Sequence, residues 1–247
     1  MIEWLTPDWP APARVRSLST LRRGGVSEAP CASLNLATHV GDSPAAVADN
    51  RRALRAAAGL PSEPRWLDQV HGTCVRDLDQ EADGPADAAV TRQPGRVCAI
   101  LTADCLPVLL AAEAGDRVAA AHAGWRGLAA GVIEATLSAL GTAPEELMAW
   151  LGPCIGPQHF EIGPEVREVL LAADGAAEES IRPNARGRFM ADLPGLARSR
   201  LRRLGLRRIF GSGECTYAQA DRYFSHRRDG RTGRQATLIW LEPPSGR

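Results

Sequence analysis

Val118-Ala-Ala-Ala-His122-Ala-Gly-Trp-Arg-Gly127, running on into Leu128 to Leu140, reads as a strand, a loop and a helix. Uncharged small residues from Val118 to Ala121 suit a buried strand, and His122-Ala-Gly-Trp-Arg-Gly marks the loop. The apolar run from Leu128 is stopped by Gly141, a residue that closes helices because it enters the left-handed region without strain. Similar units lie on both sides. Upstream, Ser43 is a good N-cap and Pro44 suits the first helical position, so a helix is expected through AAVADNRRALRAAA to Gly59. A short strand is expected over Arg65 to Val70, stopping at His71-Gly72, and a buried one over Arg96 to Thr102, ending at Ala103-Asp104-Cys105. Extended structure resumes from Pro107 to Ala112 before a turn at Gly115-Asp116.

Downstream, Met148 to Leu151 reads as a strand and Pro164 to Ala173 as a helix. Leu193 to Leu204 reads as a second helix, with Leu193, Leu196, Ala197, Leu201 and Leu204 on one face. Arg208-Ile-Phe and Ala236 to Leu241 are the closing strands. Helices and strands alternate throughout, which predicts an α/β layered architecture. Neither an internal repeat nor a linker-like stretch interrupts the chain, so a single domain over 1–247 is expected.

The composition, 45% hydrophobic and 23% charged, is that of an ordinary soluble globular protein. Basic and acidic residues number 29 each, and every basic one is arginine. The absence of lysine removes Schiff-base and pyridoxal chemistry, and with it the phosphate-loop motif, whose lysine reaches the phosphates. A balanced charge speaks against a dedicated nucleic-acid binder but leaves a small anionic substrate open. The most apolar stretch, Val97 to Ala112, is interrupted by Asp104 and Pro107 and falls short of the roughly 20 residues a membrane span needs. The opening Met1-Ile-Glu-Trp-Leu-Thr-Pro shows no secretory signal, and the six cysteines read as reduced thiols, so a cytoplasmic location is expected.

His71, Cys105 and His122 each sit where an expected strand runs out into a Gly- or Pro-marked loop. Ligands of α/β sheets bind at the carboxyl ends of strands, so the three exits can bring two imidazoles and a thiolate to one rim. That set suits zinc or copper with a position left open, although its spacing matches no short metal motif. Taken singly, each has a blander reading. Cys31, Cys74, Cys98, Cys154 and Cys215 read as small packing residues, and His39, His159 and His226 as satisfied polar side chains.

Other motifs fail on spacing. His159-Phe-Glu161 imitates the H-x-E of zinc deaminases without a downstream P-C-x-x-C. Gly211-Ser-Gly213 lacks the third glycine of a dinucleotide fingerprint, and neither H-E-x-x-H nor G-x-S-x-G occurs. Arg198, Arg200, Arg202 and Arg203 read as the solvated face of a helix. Arg126 differs: it follows His122 at an expected helix start, where free amides favour an anion such as phosphate. Arg22 and Arg23 before Gly24-Gly25, and Arg227 and Arg228 before Asp229-Gly230, are weaker candidates for the same task.

At these residues the sequence resembles the YfiH-like family, long labelled laccase-domain or polyphenol oxidase proteins and now regarded as purine nucleoside phosphorylases. The likeness covers nearly the whole chain. It rests on Arg23-Gly-Gly-Val-Ser, Ser33-Leu-Asn-Leu, His39-Val-Gly-Asp, Trp66-Leu-Asp-Gln-Val-His-Gly, Thr102-Ala-Asp-Cys-Leu-Pro-Val-Leu, Ala121-His-Ala-Gly-Trp-Arg-Gly, Leu151-Gly-Pro-Cys-Ile-Gly-Pro, Phe160-Glu-Ile-Gly, Cys215-Thr, Phe224-Ser-His-Arg-Arg-Asp-Gly and Thr232-Gly-Arg. The resemblance implies that His71, Cys105 and His122 form the metal and catalytic site. It implies an α/β sandwich with a mixed sheet, zinc as the usual metal with copper reported, and phosphorolysis of adenosine, inosine and methylthioadenosine together with adenosine deamination. The implied partners are purine nucleosides and phosphate, without nucleic acid or membrane, and a homodimer is one implied assembly. Cys31 stands where the family pattern commonly has an aromatic residue, a departure expected to act on a pocket edge or on substrate preference.

Rival classes stay open beside this one. Cys105 could be the nucleophile of a metal-free hydrolase with His122 or His71 as its base, fitting the peptidoglycan-editing amidase role proposed for some relatives. The old family label suggests a copper oxidase of phenols, although the chain lacks the further histidines of a multicopper cluster. A non-enzymatic binding module is the weakest alternative.

Overall fold

The structure, a computed structural model, describes residues 1–243. In chain order its strands and helices are β1 (Trp4–Leu5), β2 (Val15–Thr20), α1 (Pro44–Ala58), β3 (Arg65–Trp66), β4 (Val75–Asp77), β5 (Ala88–Thr91), β6 (Val97–Thr102), β7 (Leu106–Ala112), β8 (Val118–Ala123), α2 (Trp125–Ala130) and α3 (Val132–Leu140). The chain continues through β9 (Leu147–Leu151), β10 (Glu161–Ile162), α4 (Pro164–Ala173), β11 (Ile181–Pro183), β12 (Phe189–Ala191), α5 (Leu193–Arg203), β13 (Arg208–Gly211), α6 (His226–Asp229) and β14 (Gln235–Leu241).

The strands make two large mixed sheets, one in the order β1-β2-β14-β6-β3 and the other β13-β9-β7-β8-β5-β4, with β10-β12-β11 as a small third. Pairs β3·β6, β4·β5 and β13·β9 are parallel and the remaining pairs of the large sheets are antiparallel. Strands such as β6 and β7 are apolar on both faces, so each face needs cover. The two sheets cover one another through Cys98, Ile100 and Ile239 on one side and Leu109, Ala111, Val118 and Trp150 on the other. The outer face of the six-stranded sheet, with Leu106, Val108 and Leu110, packs on Leu128, Val132 and Ile133 of α2 and α3 and on Leu196 and Leu201 of α5. The outer face of the five-stranded sheet, with Val97, Ala99 and Leu101, packs on Leu54 of α1 and on Leu34 and Leu36. The expected α/β sandwich with mixed sheets is therefore the observed one, layered helix, sheet, sheet, helix.

Ser43 caps α1 and Gly59 closes it in the left-handed region, as the sequence predicts. Four expectations are corrected. The helix read over Leu128 to Leu140 is two: α2 starts at Trp125 and stops at Gly131 (φ 101°), whose N–H returns to the Gly127 carbonyl, and α3 restarts at Val132. The strand read over Arg65 to Val70 pairs only at Arg65 and Trp66, because the Gln69 side-chain amide takes over the Leu101 N–H and C=O at 2.8 and 2.9 Å. The arginines of α5 are not one solvated face. Arg200 is buried, donates to the Leu128 and Ala173 carbonyls, and pairs with Glu134 at 3.0 Å; Arg198 donates to the Ile209 carbonyl and Arg203 pairs with Asp174, leaving Arg202 exposed. Cys74 is exposed and is not a packing residue, whereas Cys31, Cys98 and Cys154 are buried.

Candidate active site

Three residues, Ala103, Asp104 and Cys105, connect β6 of one sheet to β7 of the other, so the Cys105 thiol sits where the chain crosses between sheets. Pairing of β7 with β8 sets Pro107 opposite His122 and Leu106 opposite Ala123, which carries Cys105 to the side of Gly124. His122 lies inside β8 and is buried, not in the loop beyond it as its sequence suggests. His71 is exposed in the loop after β3 and holds φ at 62°. A Cβ on Gly124 would stand 2.9 Å from Cys105 Sγ and 3.1 Å from His71 Cδ2. Only glycine leaves room for the two side chains to approach.

One buried carboxylate organises the group. Asp87, just before β5, bonds His122 Nδ1 through Oδ1 at 2.8 Å and accepts the backbone N–H groups of Val70, His71 and Gly72 at 3.1, 2.9 and 2.7 Å. Its own carbonyl accepts the His122 N–H at 2.7 Å. Burial pushes the Asp87 carboxyl up, but His122 and the amides outweigh this and hold it below its ordinary range. A charged Asp87 accepts a hydrogen bond from the His122 Nδ1–H and so leaves Nε2 facing the other two side chains.

The rings of His71 and His122 meet edge to face at 4.7 Å, and His71 Nε2 stands 3.8 Å from Cys105 Sγ. Burial raises the Cys105 thiol, yet the two histidines, His122 foremost, bring it down to about 6. Burial lowers His122, yet the Cys105 thiolate and Asp87 lift it to about 9. Each draws the other the same way, toward a thiolate beside an imidazolium.

The three donor atoms lie within 4.8 Å of one another. Sulfur and nitrogen on a tetrahedral zinc ion are about 3.5 Å apart, from bonds of about 2.3 and 2.0 Å. The 3.8 Å separation of Sγ and Nε2 is close to that, the ligands are of the type zinc and copper take, and Asp87 supplies the usual outer partner of a ligating imidazole. The group fits a metal ion. Among the described residues it is the one such cluster of three or more.

The group opens on a cavity of about 160 Å³ walled by Trp125, Ile155, Phe160 and Leu193 and edged by Arg126, His226 and Arg227. Arg126 is exposed, with its guanidinium 4.4 Å from the Trp125 ring centre; Arg227 lies over Phe160 and donates to the Glu161 carbonyl at 2.9 Å. Asp104 (φ 94°) ties this wall together, accepting from Thr216 Oγ1 and from the Arg227 N–H, both at 2.7 Å, while its carbonyl accepts the Ile155 N–H.

Of the weaker anion candidates only Arg227 reaches this cavity. Arg22 is spent on the Ala32 and Ala220 carbonyls, Arg228 on those of Thr216, Tyr217 and Tyr223, and Arg23 is exposed elsewhere. His159 stacks on Tyr217, and neither it nor His39 lines the cavity, but His226 does. Cys31 is buried and does not line the cavity. Sequence reading missed Asp87, Asp104, Trp125 and Phe160. A lone acid heading the apolar run Ala86-Asp87-Ala88-Ala89-Val90 was the one signal that could have revealed Asp87.

Residues 16–242 match the family described as multi-copper polyphenol oxidoreductase laccase. A purine nucleoside phosphorylase of Pseudomonas aeruginosa is 54% identical over 243 residues, spanning 98% of this chain and 100% of that protein. Purine nucleoside phosphorylase YfiH of Escherichia coli is 50% identical with the same coverage. Among solved structures, protein NMB0706 of Neisseria meningitidis superposes with a TM-score of 0.92 at 46% identity, covering 97% of this chain and 99% of that one.

Proposed function

This chain belongs to the multi-copper polyphenol oxidoreductase laccase family, and from that premise we propose that it is a metal-dependent purine nucleoside phosphorylase. The observation that carries the reading is the His71, Cys105 and His122 group opening on a small, aromatic-walled cavity with two arginines at its edge. We read it as one domain and as a cytoplasmic enzyme; among the described residues no helix is long and apolar enough to cross a membrane.

The reaction joins a phosphate oxygen to the anomeric carbon of the sugar as the bond from that carbon to the purine nitrogen breaks. Charge separates as it does so: the sugar becomes oxocarbenium-like and the purine gains an electron pair. Arg126, stacked on Trp125 with its fork of donors free, holds the phosphate dianion at the mouth. The ring faces of Trp125 and Phe160 hold the nucleoside and exclude water, which would otherwise compete with phosphate. His71, Cys105 and His122 are the residues that would hold zinc, with copper as the other metal the set accepts. Bound there, the metal supplies a Lewis acid in reach of the cavity. With water in place of phosphate, attack at the ring carbon bearing the amino group would convert adenosine to inosine and release ammonia.

A second reading has its own support. Asp87, His122 and Cys105 stand in the order orienter, base and nucleophile, the arrangement of a cysteine hydrolase. One experiment separates the two. Wild-type protein given adenosine and phosphate should release adenine and ribose 1-phosphate, should form only inosine without phosphate, and should contain about one metal ion per chain. Arg126→Ala should raise the apparent KM for phosphate more than that for nucleoside. Base release without phosphate, or full activity in metal-free protein that a thiol-alkylating reagent abolishes, would replace the phosphorylase with the hydrolase.

A further inference from the structure

The cavity holds a titratable group that the mechanism above leaves without a task. His226 opens α6 and lines the same hollow as His71 and Cys105. Its Nδ1 lies 2.7 Å from the Gly230 carbonyl, an oxygen that can only accept, so Nδ1 carries a proton in both charge states of the ring. The exchangeable position is then Nε2 alone.

The turn bearing this imidazole is fastened more firmly than an exposed four-residue helix requires. The next residue, Arg227, gives its N–H to Asp104, the neighbour of Cys105, so His226 and the thiol are held across a single carboxylate. Ser225 Oγ accepts the Arg228 N–H, and the Arg228 guanidinium reaches three backbone carbonyls at 2.7 to 2.9 Å. Such bracing is what a group that transfers a proton at a fixed place needs.

Resting on the phosphorylase reading, we propose that His226 is the general acid that protonates the departing purine. Breaking the glycosidic bond leaves an electron pair on the base, which spreads into the five-membered ring, and the second nitrogen of that ring is where a proton relieves it. In the step, the bond from the anomeric carbon to the purine breaks, the bond to the phosphate oxygen forms, and the Nε2 proton passes to the purine. The phosphate monohydrogen dianion loses its proton on becoming the sugar phosphate ester, and that proton restores Nε2. Protons and charge balance without any further reactant.

The test uses a leaving group that needs no acid. In 7-methylinosine the ring nitrogen is already alkylated and the base departs neutral without protonation. His226→Phe should lower kcat/KM for inosine phosphorolysis by about 100-fold, the scale of a lost general acid, while changing that for 7-methylinosine by less than about 3-fold. Retained turnover of the methylated substrate shows at the same time that the variant is folded, and His226→Gln should behave alike. An equal loss on both substrates, or a loss on neither, overturns the acid role while leaving phosphorolysis intact. Wild-type protein that cleaves neither substrate overturns phosphorolysis and this role together.

Discussion

The two ends of the sandwich hold hollows of very different size. Where β6 and β3 begin, a groove of about 1070 Å³ runs between Ser62 and Arg96 and carries three arginines. Where β6 ends, the cavity beside Cys105 has about 160 Å³. In the large groove Arg65 is paired with Asp83 at 2.7 Å, Arg76 donates to the Gly84 carbonyl, and Arg96 is held by Gln93 with Asp79 nearby. Each of its arginines is already engaged by a neighbouring group. At the small end a thiolate, two imidazoles and the exposed guanidinium of Arg126 face one space. Volume follows from how the sheet edges splay, whereas chemistry needs groups whose bonding is incomplete until a ligand arrives.

Three substitutions put that contrast under strain. Cys105→Ser should cost the most, lowering kcat/KM for purine nucleoside phosphorolysis by about 10³-fold, in the range for groups acting at a reacting centre. Steady-state kinetics within tenfold of wild type would mean that the small cavity is not where the reaction happens. Asp87→Asn should lower metal affinity or activity by about 10- to 100-fold, as loss of an outer partner of a ligating imidazole does. It also weakens a buried bond network, so chemical denaturation should show a stability loss of about 1–3 kcal/mol. Arg65→Ala should do least: its pair with Asp83 is exposed and worth about 0.2–1 kcal/mol, and turnover should be unchanged. A tenfold loss of activity there would give the large groove a role in the reaction.

Much of the frame was legible along the chain. Unbroken small and apolar residues marked β6, β7 and β8, Gly59 and Gly141 marked helix ends, and His71, Cys105 and His122 stood out because each stands where an expected strand runs out. Most of the features that escaped share one physical cause: they are bonds from a side chain to groups distant in sequence. Gln69 replaces a strand by pairing with Leu101, and Arg200 disappears from a polar helix face to serve the Leu128 and Ala173 carbonyls. Asp87 gathers amides 15 to 17 residues away and an imidazole 35 away. Local periodicity carries no trace of such partners. The break at Gly131 was missed for a different reason, since α2 and α3 keep one apolar face across it through Leu128, Val132 and Ile133.

The crossing of the chain from β6 to β7 ties catalysis to the integrity of both sheets at once. Cys105 stands on a three-residue crossing, with an interior strand of the first sheet on one flank and an interior strand of the second on the other. Regions that open locally are those with few buried contacts, and neither flank qualifies. Any fluctuation large enough to displace the thiol must separate the inner faces carrying Ile100, Leu109 and Trp150, which amounts to melting the cooperative unit as a whole. Displacement of the thiol by heat or denaturant therefore coincides with loss of the fold, whereas His71, held in an exposed loop, is the member of the group that can move without it.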